Sequence, residues 1–176
     1  MGIASFVSMN VRATANVMVK GRGFELGQAY LDAVAEFYET SGFTTTADQY
    51  MTMAARIKIF ALEAKDIGLE PVEIDIEVLN TDDPVKREFM EDFAMAEAYL
   101  ADVFVNYPVE DKVIESYYRS NPKKFRDDSL DGDGMMPLDD ELKARLRQVI
   151  LREVRSHIAN ETYLKLRDSY EVRFQN

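Results

Sequence analysis

The stretch Leu138-Asp139-Asp140-Glu141-Leu142, continued by Leu146, Val149, Ile150 and Val154 at three- and four-residue steps, reads as one apolar stripe on a long helix. Asp139 or Asp140 can accept from the free N–H groups of the first turn, and basic residues become denser further along, as the helix dipole favours. Past Tyr163 and Leu166 the pattern changes to alternation over Tyr170-Glu171-Val172-Arg173-Phe174, which predicts a short strand. A helix of this length keeps an apolar stripe only against a partner. The residues before it must therefore supply a groove for the helix and an edge for the strand.

Composition narrows what that partner can be. With 176 residues, 47% of them hydrophobic, the chain is long enough to bury a core as one domain or a domain with an appendage. The net charge of −11 argues against nucleic acid and against an anionic membrane surface, since both bind through basic faces. No segment approaches the roughly 18 apolar residues of a membrane span. The absence of cysteine removes thiol nucleophiles, thiolate metal sites and disulfides together. Met1 to Asn10 has no basic n-region and no sustained apolar run, so an intact signal peptide is not expected there.

Taken in order, Ala15 to Val19 reads as a strand ending in a turn at Lys20-Gly21-Arg22-Gly23. The two glycines lack the remainder of a phosphate loop. Phe24 to Ser41 carries Leu26, Tyr30, Leu31, Val34, Phe37 and Tyr38 as a helical stripe stopped at Gly42. Thr46 and Gln49 form a capping box for a helix over Ala47 to Ile67, with Gly68 as its stop, and the two helices are expected to pack as an antiparallel pair. Pro71 to Leu79 alternates like a strand but begins like a helix. Helices follow over Val85 to Val105 and Asp111 to Ser120, and Asn121-Pro122 ends the second. From Asp127 to Glu141 there are seven acidic residues and no basic ones, which reads as a solvated linker.

Three features bear on chemistry. Asp127, Ser129, Asp131 and Asp133 match the opening of a calcium loop, with Gly132 at its sixth position, but position 12 is Leu138 where the bidentate acid belongs. His157, the single histidine, sits among Arg155, Ser156 and Ile158 with no serine motif to serve, and reads as a helix-surface residue. No catalytic set is evident, and neither a cofactor nor enzymatic activity is expected. Ten Phe, nine Tyr and nine Met form an adaptable apolar complement. Those nearest the linker, Tyr117, Tyr118, Met135 and Met136, are the candidates for contacting a bound peptide.

Three stretches together resemble the SurA family of periplasmic chaperones. Asn16-Val17-Met18-Val19-Lys20-Gly21 with the following helix is similar to that family's opening strand and helix, although Lys20 stands where asparagine is usual. Ile57 to Leu69 is similar to its second helix, which ends A-x-x-x-G-L, and Tyr117-Tyr118-Arg119-Ser120-Asn121-Pro122-Lys123-Lys124-Phe125 matches its Y-Y-x-x-N-P-x-x-F segment. The resemblance implies a mainly α-helical chaperone core with a small antiparallel pairing of the Val17 and Val172 strands, and makes 71–79 a short helix. It also implies periplasmic, ATP-independent binding of unfolded polypeptides bound for the outer membrane. In that family an isomerase domain of parvulin type follows the phenylalanine; here only an acidic linker intervenes, so no prolyl isomerisation is expected.

The expected organisation is an extension over 1–14, a helical module over 15–125, the linker over 126–137, and a helix and strand over 138–176 that return to the module. Two alternatives stand beside the chaperone reading. One is a structural homodimer formed by exchange of the C-terminal helix, since the linker permits either closure. The other is a calcium-binding module at the Asp127 to Asp133 loop.

Overall fold

A computed structural model of the chain describes residues 16–74, 81–127 and 134–175. Strand β1 (Val17–Gly21) turns through Arg22 and Gly23 into β2 (Phe24–Gly27), and the two pair antiparallel with a bulge between Val17 and Val19. The expected helix from Phe24 therefore starts four residues late. Phe24 and Leu26 are buried while Glu25 is exposed, which is the alternation of a strand, and the hairpin register holds them on the core face. Gly21 is needed at the turn because the Phe24 ring folds over it and leaves no room for a Cβ.

Helix α1 (Gln28–Thr40) leads to α2 (Ala47–Asp66), where the Thr46 hydroxyl accepts from the Gln49 N–H at 3.4 Å. The helix stops as expected at Gly68, whose φ of 74° reverses the chain while the Leu69 N–H reaches the Ala64 carbonyl at 2.9 Å. Pro71 to Ile74 has no regular structure, and the rest of the segment predicted as helix or strand lies outside the described residues. Helix α3 (Pro84–Val105) starts at Asp83, whose carboxylate accepts from the Val85 and Lys86 N–H groups. It is the main partner of α2, whereas α1 packs less extensively against both. Small residues explain the closeness: Ala54, Ala55, Ala61 and Ala64 are buried on α2, and Ala94, Ala96 and Ala98 on α3.

The main core fills the space between this helical layer and the hairpin. Val19, Leu26, Val34, Ile59, Phe60 and Phe89 are almost fully enclosed. Burial of a side chain the size of Phe60 or Phe89 stabilises by about 1.5–3 kcal/mol. Tyr30, Phe37 and Phe93 surround Phe89, with the Tyr30 and Phe89 rings edge to face at 5.8 Å. Asp92, only 1% exposed, lies in this layer and is answered from two other helices: Lys58 at 2.7 Å and Lys65 at 3.1 Å on α2, and the Tyr30 hydroxyl, donating at 3.1 Å, on α1. Burial alone would lower the Lys58 pKa, but hydrogen bonds to Asp92 and Glu88 outweigh it and hold the ammonium charged above its usual range.

Helix α4 (Asp111–Ser120), a 3₁₀ turn (Pro122–Lys124) and the long α5 (Asp140–Ser169) complete the helical part. Asp139, not Asp140, is the N-cap of α5, accepting from the Leu142 N–H at 2.8 Å. Strand β3 (Arg173–Phe174) pairs antiparallel with β1 through Val19 and Lys20, giving the order β2-β1-β3. The architecture is mainly helical with a small antiparallel sheet, and the expected pairing of the two distant strands is present. Phe174 lies opposite Val19, so the expected strand from Tyr170 is shortened to its last residues; Glu171, with φ 51°, still belongs to the turn after the helix.

Candidate functional site

The expectation of a single stripe on α5 fails in an instructive way. Leu142, Leu146 and Ile150 are buried in the first half, and Ile158, Ala159 and Tyr163 in the second, but none of residues 151–157 is. At about 100° per residue the two buried faces point in roughly opposite directions. The first half packs against α4, forming a small cluster with Ile114 and Phe125. The second half lies on the main core against α2 and α3. Each half is thus amphipathic toward a different partner, and no side chain of the waist between them is buried against either.

An open cleft of about 320 Å³ lies at this waist. Phe104, Val105 and Tyr107, from the end of α3 and the loop after it, meet Arg147, Gln148, Leu151, Arg152 and Arg155 of α5. The cleft lies where the face of α5 that covers the main core continues past the end of α3. Val105 is 83% exposed, and Tyr107 lies at the surface beside it. Arg155 sits over the Phe104 ring at 4.7 Å, with the Glu97 carboxylate 3.9 Å away. Arg147 reaches Asp111 at 3.2 Å, and that carboxylate also receives Lys143 at 3.4 Å. Arg152 is exposed and has no ion-pair partner among the described residues.

The peptide-contact candidates from the sequence converge on the small cluster. Tyr117, Tyr118, Met135 and Met136 are half-buried around Ile114, Phe125 and Leu142. The Tyr118 ring lies 5.1 Å from that of Phe125 and its hydroxyl donates to the Met136 carbonyl. Tyr117 donates to Glu153 at 2.8 Å and accepts from Lys124 at 2.9 Å. Their hydroxyls are thereby engaged within the fold. His157 is 71% exposed on α5, 3.3 Å from Glu161.

The acidic linker is closed at its base. Arg126 and Met135 form an antiparallel bridge, the Asp127 N–H donates to the Gly134 carbonyl at 2.7 Å, and the Met136 N–H donates to the Phe125 carbonyl at 2.8 Å. Of the calcium-loop candidates Asp127 belongs to this base, while Ser129, Asp131 and Asp133 lie outside the described residues. Among the described residues no group of three or more carboxylate or histidine side chains could hold a metal ion, and no helix is long and apolar enough to cross a membrane.

In comparisons with protein-family models, with curated proteins and with solved structures, nothing matches the chain. The cleft was not foreseen from the sequence, although two of its signals are there: arginines crowded into the middle of a helix in an acidic chain, and Phe104-Val105 placed where α3 runs out at Tyr107-Pro108. Crowded arginines read first as complements to the helix dipole. Their common face becomes visible only once α3 is known to stop beside them.

Proposed function

We propose that the protein binds unfolded or extended polypeptide without ATP and without catalysing prolyl isomerisation, acting as a chaperone-like module. The SurA-like motifs point to outer-membrane-protein segments in the periplasm as its clients. The observation that carries this reading is the waist cleft, where Val105, 83% exposed, and the aromatic side chains beside it open to solvent. An extended segment presents alternate side chains to one surface. One apolar side chain seated on Val105, Tyr107 and Leu151 leaves its neighbours toward the polar rim, which tolerates many sequences and favours brief, reversible contact.

The closed base of the linker supports the same reading. In the family that the Tyr117 to Phe125 segment resembles, the isomerase is inserted just after this phenylalanine. The Arg126 and Met135 bridge is a point from which an inserted domain leaves and re-enters without disturbing the core. The test is suppression of aggregation of a denatured outer-membrane protein, run beside a prolyl isomerase assay. Suppression without isomerisation is the expected outcome, and Val105→Asp should weaken it. No suppression at several-fold molar excess would sink the chaperone reading.

A further inference from the structure

The protein carries a net charge of −11, yet between Lys143 and Arg155 helix α5 holds five basic residues and a single acid, Glu153. Three of those five, Arg147, Arg152 and Arg155, border the cleft. Their internal partners do not balance them. Asp111 is shared between Arg147 and Lys143, Glu97 stands 3.9 Å from Arg155, and Arg152 has no ion-pair partner among the described residues. Of the three arginines around the apolar floor, one shares its carboxylate with a lysine and one has none, which leaves positive charge in surplus there. Since charges are screened over about 8 Å at physiological ionic strength, a ligand within the cleft senses this local surplus more than the distant acidic surface.

We infer that the cleft selects acidic segments of extended polypeptide, in which an aspartate or glutamate lies within a residue or two of an apolar or aromatic side chain. The inference rests on the polypeptide-binding reading above and names the client chemistry that this site takes. Arginine is suited to the role because its planar guanidinium meets a carboxylate with two parallel hydrogen bonds. Arg155 already rests over the Phe104 ring at 4.7 Å, so ordering it on binding costs little. The apolar floor argues for a peptide over a free inorganic anion, which would leave Val105 and Leu151 wet. A nucleic-acid strand would carry its charges beyond the cleft onto the acidic remainder of the surface.

The test uses the full chain and three fluorescently labelled peptides of equal length with the same Phe-Leu centre, flanked by Glu, Gln or Lys, read by anisotropy. The Glu peptide should bind about tenfold more tightly than the Gln peptide, a difference of one charge-assisted contact, and the Lys peptide more weakly than either. Arg152→Glu should remove the preference for Glu over Gln, and because Arg152 is an exposed helix residue the fold is retained. Equal affinity for all three peptides, or a preference unchanged in Arg152→Glu, overturns the charge selectivity and leaves polypeptide binding standing. No binding of any peptide overturns both. Tighter binding of a single-stranded oligonucleotide of equal charge overturns the assignment of polypeptide as the occupant.

Discussion

Around Phe60 and Phe89 the packing draws on three helices, the hairpin and the second half of α5, and it encloses the charges of Asp92 and Lys58. Around Phe125 it draws on the ten-residue α4, the two ends of a loop and the first half of the same helix. The first assembly has many partners for each side chain, while the second has few. The difference teaches how one helix serves two packing units: α5 turns a different face to each, and what lies between them stays open.

Replacing a side chain in the larger core should have the largest effect. Phe89→Ala is expected to cost about 3–5 kcal/mol and lower the melting temperature of the whole molecule, because the lost ring is almost fully buried and packs on Tyr30 and Phe37 of α1 and on Phe93 of its own helix. A melt in which α4 unfolds separately and early in the parent protein would instead break the comparison by showing two independent units.

Phase along α5 gives the next test. One alanine inserted after Glu153 rotates its two halves against each other by about 100°, so both faces cannot seat at once. The smaller cluster should yield. Amide exchange in α4 is then expected to approach that of an isolated short helix, since helices under about 12 residues are marginal alone. The core around Phe89 should keep its protection. Leu146→Ala sharpens the same contrast more gently, with about 2–4 kcal/mol lost locally in α4 and the first half of α5 and little change in α2 and α3.

The smallest effect concerns the far end of α5. Tyr170 donates to Glu63 at 2.8 Å, its carbonyl accepts from the Arg22 N–H at 2.7 Å, and its pKa is pushed up to about 12 by burial and then by the Glu63 carboxylate. Its folded pKa exceeds the unfolded value near 10, so the unfolded state releases the proton first as pH rises. The contribution is complete below about pH 10 and is lost between about pH 10 and 12. Tyr170→Phe should cost about 1 kcal/mol at neutral pH and flatten the alkaline decline in denaturant midpoint. An unchanged alkaline slope would assign that decline to other groups, among them Tyr30, which burial and Asp92 also raise.

Much of this was legible in the residues themselves. Helices α2, α3 and α4 follow from 3.6-residue periodicity, the Gly68 stop from its glycine, and the two distant strands from local pattern, while their union was an expectation of the family resemblance. The strand β2 was hidden because Phe24, Leu26 and Tyr30 fit a helical stripe nearly as well as a hairpin arm. Asp92 looks like any surface acid until Lys58, Lys65 and Tyr30 are brought to it by packing. The two faces of α5 were unreadable for a related reason: a one-dimensional pattern records that apolar residues recur, not which neighbour each will meet.

The bridge between Arg126 and Met135 has a consequence for connectivity when taken with β3. Gln175 donates to the Met18 carbonyl at 2.9 Å, so residue 175 is fastened beside residue 18, just as 126 is beside 135. A polypeptide joined from residue 175 to residue 16 and opened between 127 and 134 would keep every pairing described. The fold is in effect a ring with two clasps, and either clasp can serve as the opening at which the chain begins.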